Sequence, residues 1–163
     1  MIDNISLINF TDLTMEEKLM VLSWRNDASV KKWMYNNKEI LVEDHLSFID
    51  TLKNKKNTLY FIVKENEKYL GVIDFIDIEI GSFATMGIYI NPKLKGLGSL
   101  LMKVIIDFSF HSLNVKKIYS EVFEDNRKAF MLYEEYGFKF FKNKIVNEKN
   151  VICMELENEY WEI

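Results

Sequence analysis

Three strand-forming runs lie almost end to end in the middle of the chain, over residues 59–63, 69–80 and 83–90, and no proline interrupts them. They are rich in Ile, Val, Phe and Tyr, residues that suit a pleated, half-buried surface. The polar turn Glu65-Asn66-Glu67-Lys68 joins the first two, and Gly81-Ser82 joins the second to the third. Connections this short make antiparallel hairpins, because a parallel crossover needs a dozen residues or more. A meander is therefore fixed at the centre, and the rest of the chain must pack around it.

Before the meander, Ile5 to Phe10 alternates apolar and polar residues as a first strand would. Thr14-Met15-Glu16-Glu17 is a capping box and predicts a helix to about Arg25. A short helix around residues 29–34 follows. A third helix over 42–52 carries Val42, Leu46 and Ile49 at helical spacing, with Leu41, His45, Phe48 and Leu52 as an adjacent stripe. After Pro92 come a glycine loop, a helix over 99–110, a strand over 118–123 and a helix over 126–136. An antiparallel pair, 139–145 and 151–156, closes the order. This order predicts one α/β domain over residues 1–163: a central mixed, mostly antiparallel sheet flanked by helices, not a doubly wound parallel one. At 163 residues the chain can bury roughly 70% of its extended surface, so its core needs no metal or disulfide.

The 21 basic and 25 acidic residues leave a net charge of −4, which offers no general attraction for nucleic acid or an anionic membrane. Cys153 is the only cysteine, which excludes a disulfide within the chain and fits a reducing compartment. Met1-Ile2-Asp3-Asn4 has neither the basic nor the apolar part of a secretory signal. No apolar run approaches the ~18 residues of a membrane span. A cytoplasmic protein is expected, with no metal site. A homodimer across an exposed sheet edge is compatible with the sequence, which marks no particular strand for it. Arg25 and Arg127 are the only arginines and Pro92 the only proline, so each such residue is informative where it occurs.

Lys93-Leu94-Lys95-Gly96-Leu97-Gly98-Ser99 lies between a strand and a helix. Two glycines one residue apart let the backbone turn sharply with its N–H groups inward. With the positive end of the next helix, and Lys93 and Lys95 beside it, this makes an anion site suited to a pyrophosphate. The third glycine of the dinucleotide fingerprint is missing, and no Gly-Lys-Ser/Thr of a Walker loop follows. By itself the segment reads equally well as an ordinary turn. In the later helix, Asn126 and Tyr133 are two turns apart on one face, about 10 Å, with the small Ala129 between them. Gly137 stands where a left-handed cap belongs. Taken singly, Tyr133 reads as a buried tyrosine and Asn126 as a helix-start residue.

Together, Lys-x-x-Gly-x-Gly, helix, strand, and then Asn-x-x-Ala-x-x-x-Tyr-x-x-x-Gly-Phe resemble the GCN5-related N-acetyltransferase (GNAT) superfamily, across the whole chain. Lys93 departs from that pattern, which usually has Arg or Gln there. The resemblance implies acetyl-CoA as cosubstrate. Its pyrophosphate would sit on the amides of Lys95, Gly96, Leu97, Gly98 and Ser99, and its pantetheine would run beside the strand of Ile88 and Ile90. Asn126 would bond the pantetheine arm, Ala129 would let it pass, and Arg127 would meet the phosphates or stay exposed. Tyr133 would point at the thioester sulfur as general acid. Amides of residues 87–90 could polarise the carbonyl. Cys153, with no histidine near it in sequence, reads as a core residue, which favours direct transfer in a ternary complex.

The acceptor is read from Trp24-Arg25-Asn26, Trp33-Met34-Tyr35 and His45-x-x-Phe48-Ile49. A guanidinium suits diphosphate oxygens, and aromatic rings suit a base or sugar face. This set is similar to that of the branch of the superfamily serving pseudaminic acid biosynthesis and flagellin glycosylation. There the 4-amino group of UDP-4-amino-4,6-dideoxy-N-acetyl-altrosamine is acetylated. The resemblance implies that Arg25, Met34, Tyr35, His45, Phe48 and Tyr89 line a nucleotide-sugar pocket. Glu121 becomes the base, through water, or a ligand of the sugar; read from the residues, it is equally a solvent-facing carboxylate. His45, Met34 and Phe48 also read as ordinary helix or core residues. Asp74 and Asp77 read as solvent-facing strand residues. The competing readings are acetylation of a protein N-terminus or a polyamine, and a non-catalytic acyl-CoA-binding domain.

Overall fold

A computed structural model describes residues 2–159. The meander forms as expected. Strands β1 (Ile5–Asn9), β2 (Leu59–Glu65), β3 (Lys68–Glu79) and β4 (Phe83–Ile90) pair in succession, each antiparallel to the next. Asn66, at φ 54°, makes the turn between β2 and β3. Short polar Asn tolerates that left-handed conformation better than most residues. β5 (Lys117–Phe123), β6 (Lys139–Val146) and β7 (Lys149–Glu157) complete a seven-stranded sheet of order β1-β2-β3-β4-β5-β7-β6. Only the β4–β5 pair is parallel, so the sheet is mixed and mostly antiparallel.

Side chains alternate across the sheet and so supply separate cores on its two faces. Ile62 and Val72 point to the face covered by α1 (Met15–Asn26) and α3 (Val42–Leu52), where they meet Val21, Trp24, Ile49 and Leu52. Ile73, Phe75, Met86 and Ile118 point to the other face, under α4 (Gly98–Asp107) and α5 (Arg127–Glu135), against Leu101, Met102, Ile105 and Tyr133. The unpaired edge of β6 exposes Phe140 and Ile145.

Three expectations change. The second helix, α2, spans only Ala28–Lys31, and single turns from Val30 to Trp33 and from Lys31 to Met34 carry the chain on. The helix predicted over 99–110 is regular only to Asp107 and then widens into a π-turn, Phe108–Ser112. There the Phe108 ring stacks on Phe75 (5.1 Å) and meets Phe61 edge-on (5.1 Å). Asp77 is exposed as expected, but Asp74 is part-buried on the face of Val72, and desolvation there pushes its carboxyl up to about 7.

The capping box closes as the sequence predicts. Glu17 N–H donates to Thr14 Oγ1 (3.1 Å), and Thr14 N–H donates to Glu17 Oε1 (3.0 Å). Tyr69 of β3 donates to the other Glu17 oxygen (2.9 Å), so this cap also ties α1 to the sheet. Thr14→Ala is expected to cost about 1 kcal/mol, lowering the melting temperature by roughly 2–4 °C. Thermal denaturation followed by circular dichroism checks this; an unchanged midpoint would contradict it.

Candidate active site

β4 and β5 pair at only three positions: Phe83 with Lys117, Ala84 with Ile118 and Thr85 with Tyr119. Beyond them β4 continues to Ile90 and β5 to Phe123, but no register joins the two strands. The sheet therefore opens into a cleft, with one free backbone edge of β4 along its wall. Such an edge can accept an extended ligand as an added strand. Ile88 and Ile90 lie on it, part-buried and packed toward the α4 face.

The glycine loop crosses one end of this cleft. Asn91 braces it, donating from Nδ2 to Tyr69 O (3.1 Å) and accepting from Lys93 N–H (3.1 Å). Gly96 sits at φ 75°, where an L side chain would be strained. A Cβ on Gly98 would come within 3.0 Å of Leu132 on α5, so the loop lies against that helix. Leu97 precedes α4 and gives its first-turn amides no side-chain cap. Those amides and the helix dipole face an anion unopposed. Lys93, Lys95 and Ser99 are exposed beside them.

On α5, Asn126 Oδ1 accepts from Ala129 N–H (3.3 Å), so the asparagine is a helix cap whose Nδ2 remains available. Tyr133 is buried against Phe138, and its hydroxyl has no hydrogen-bond partner among the described residues. Burial, with the nearby Asp74 charge adding to it, pushes the phenol up, so it keeps its proton. Arg127 is exposed and lies over the Phe130 ring (5.0 Å).

The opposite face of the sheet carries the other candidates, in two groups. On the β2–β4 arm, Arg25 Nη2 donates to Asn36 O (2.7 Å), while its Nη1 is buried without a partner. Arg25 acts electrostatically on Tyr60 and Tyr89, whose phenols burial pushes up. Phe48 packs edge-on against Tyr60 (5.1 Å), and Met34 is part-buried. His45 is buried, and its Nε2 bonds Lys18 O (2.7 Å), so the structure uses it to join α3 to α1. On the β5–β6 arm, Glu121 Oε2 pairs with Lys144 Nζ (2.8 Å) and Oε1 accepts from Tyr35. Asn147 in turn donates to the Tyr35 carbonyl. Cys153, opposite Glu121 in register, is buried, and burial pushes its thiol up, away from the thiolate a nucleophile needs.

The structure thus places the glycine loop, Asn126 and Tyr133 on the α4–α5 side of the sheet, and Arg25, Tyr89, Tyr35 and Glu121 on the other. Sequence reasoning misses Tyr60, Asp74 and Lys144. For the first two the signal is period-2 alternation: Tyr60 is two residues from Ile62, and Asp74 two from Val72. Lys144 carries no such signal, because its partner lies two strands away.

Comparison with known proteins agrees with this geometry. Residues 8–139 match the family described as Acetyltransferase (GNAT) domain. Acetyltransferase PseH of Campylobacter jejuni (strain 81-176) is 39% identical over 137 residues, covering 84% of this chain and 86% of that protein. The crystal structure of Campylobacter jejuni PseH in complex with acetyl coenzyme A superposes with a TM-score of 0.80 at 32% identity, covering 95% of this chain and 99% of that one. The spermidine N-acetyltransferase of Vibrio cholerae in complex with CoA and spermine shares the fold, with a TM-score of 0.85 at 22% identity over 98% and 99% of the two chains. With a family match over residues 8–139 and a relative 39% identical across 84% of its length, the chain is a member of the GNAT acetyltransferase family.

Proposed function

We propose that this acetyltransferase moves the acetyl group of acetyl-CoA onto the 4-amino group of UDP-4-amino-4,6-dideoxy-N-acetyl-altrosamine, in pseudaminic acid biosynthesis. The observation that carries the choice of acceptor is Arg25, a guanidinium held inside the acceptor arm with one nitrogen buried and unpaired. An anion completes it, and a nucleotide diphosphate brings one with the planar geometry a guanidinium matches. A polyamine acceptor calls instead for an acidic groove. The acid on the facing arm, Glu121, is already neutralised by Lys144. The resemblance to the PseH acetyltransferases supports the same acceptor.

In this reading the amides of Lys95 to Ser99 hold the CoA pyrophosphate, with Lys93 and Lys95 adding charge. The pantetheine lies along the free edge of β4 by Ile88 and Ile90, passes Ala129 and bonds Asn126 Nδ2. Arg127 meets the phosphates from the start of α5. Met34, Tyr35, Phe48 and Tyr89 form the walls for the base and the 6-deoxy sugar, with His45 fixing the helix behind them. Glu121, oriented by Tyr35 and Lys144, is a ligand of the sugar. Transfer is direct: the amine attacks the thioester carbonyl, β4 amides stabilise the oxyanion, and Tyr133 protonates the departing sulfur. The reaction belongs in the cytoplasm, where a lone cysteine stays reduced. A second copy joins along the apolar edge of β6; Ile145→Lys then shifts sedimentation from dimer to monomer, and a wild-type monomer would exclude the dimer.

Two measurements test the enzymatic reading. Amine acceptors assayed with acetyl-CoA should give fast release of CoA thiol with the UDP-amino sugar and little with peptides or spermidine; the reverse order would reject the acceptor. Tyr133→Phe should lower kcat by about a hundredfold or more while acetyl-CoA binding stays within about twofold. Unchanged turnover would remove Tyr133 from the chemistry.

A further inference from the structure

One acid in the cleft has no role in the mechanism so far. Asp74 lies on β3 between Tyr60 of β2 and Gly87 of β4 in the register of the sheet. Gly87 is two residues past the point where β4 and β5 part. A Cβ on Gly87 would fall 2.6 Å from Asp74 Oδ1 and closer still to Oδ2, so the carboxylate fills the space of that missing side chain. It accepts no hydrogen bond and forms no ion pair among the described residues. Glu121 is the contrast, with both oxygens engaged.

From this placement we infer that Asp74 is the general base of the transfer, taking a proton from the acceptor amine at the mouth of the gap between β4 and β5. The inference rests on reading that gap as the site of acetyl transfer. The charge of Asp74 adds to the effect of burial in raising three phenols, Tyr60 of β2, Tyr89 of β4 and Tyr133 of α5, and Tyr60 is its partner in register. Arg25 of α1 acts on Tyr60 and Tyr89 from behind. In register Asp74 thus stands beside Tyr60 on one strand and, on the other, beside Gly87, just past the point where β4 leaves β5. Burial without a partner raises its carboxyl to about 7, which suits a base at neutral pH.

The step balances. One ammonium N–H bond breaks, and its proton goes to an Asp74 oxygen. The freed lone pair forms the bond to the carbonyl carbon. The C–S bond then breaks with its electron pair on sulfur, which takes the Tyr133 proton. A proton from the attacking nitrogen restores the phenol, and Asp74 releases its own to water. One acetyl group moves, CoA leaves as the thiol, and one proton is released.

The test compares wild type, Asp74→Asn and Glu121→Gln with acetyl-CoA and whichever amine the wild type acetylates fastest, from mildly acidic to mildly alkaline pH. Asp74→Asn should lower kcat about a hundredfold or more, abolish the acid limb near neutrality and leave acetyl-CoA affinity unchanged. It should also be at least as stable as wild type at alkaline pH. A carboxyl raised in the folded state opposes folding once ionised, so its penalty is complete above that value and absent in acid. Glu121→Gln should raise the acceptor KM and keep the acid limb. A loss under about threefold in Asp74→Asn with the limb intact, a parallel loss of acetyl-CoA binding, or loss of the limb in Glu121→Gln instead would overturn the assignment. Preference for a peptide or spermidine would reject only the acceptor proposed above, and the comparison runs on that amine. A wild type that acetylates no amine overturns both.

Discussion

Everything functional depends on the β4–β5 pairing stopping after Thr85 and Tyr119. A sheet interior normally satisfies its backbone groups strand by strand, and an unpaired interior edge is costly unless something else pairs with it. Here the parallel pair is short, and α4 and α5 brace the two strands from one side. In the proposed reading, the freed edge of β4 and the space beside it serve as a binding wall. Residues from both faces of the sheet can then meet, which a continuous sheet would forbid. Tyr133 belongs to the core under α5 and Asp74 to the face under α1, yet the phenol responds to the carboxylate's charge.

The division of labour between the two cores follows. The core under α4 and α5 is the larger and holds the glycine loop, through Leu97, Leu100 and Leu132. The core under α1 and α3 is smaller and aromatic at its margin, with Phe48, Tyr60, Tyr69 and Tyr89 around it. In the proposed reading, the donor side is thus set by backbone geometry, and the acceptor side by side chains. This is the arrangement to expect where one cosubstrate is shared across a family and the other varies.

How much of this the sequence shows depends on the range of each signal. The meander, the capping box and the third helix are local and periodic, and each forms within a residue or two of its expected bounds. Gly96 and Asn126 are legible because a positive φ and a helix cap are demands of a few consecutive residues. The Glu121–Lys144 pair is not, since it depends on β7 inserting between β5 and β6. Asp74 misleads for another reason. Alternation places it on the face of Val72, but an aspartate on a strand is ordinarily turned to water, and only its neighbours on β2 and β4 keep it part-buried. The π-turn after Asp107 is equally invisible locally, and its Phe108 packs on two phenylalanines distant in sequence, Phe61 and Phe75.

Two consecutive residues, Tyr35 and Asn36, belong to neither arm of the cleft by strand or helix. Tyr35 is bonded to Glu121 through its hydroxyl and to Asn147 through its carbonyl, both on the far arm. The carbonyl of Asn36 is held by Arg25, on the near one. Two successive peptide carbonyls therefore tie α1 to the β5–β6 side like a strap fastened at both ends. Drawing the two sides of the sheet apart here would mean breaking either the Arg25–Asn36 bond or the bonds of Tyr35 to Glu121 and Asn147.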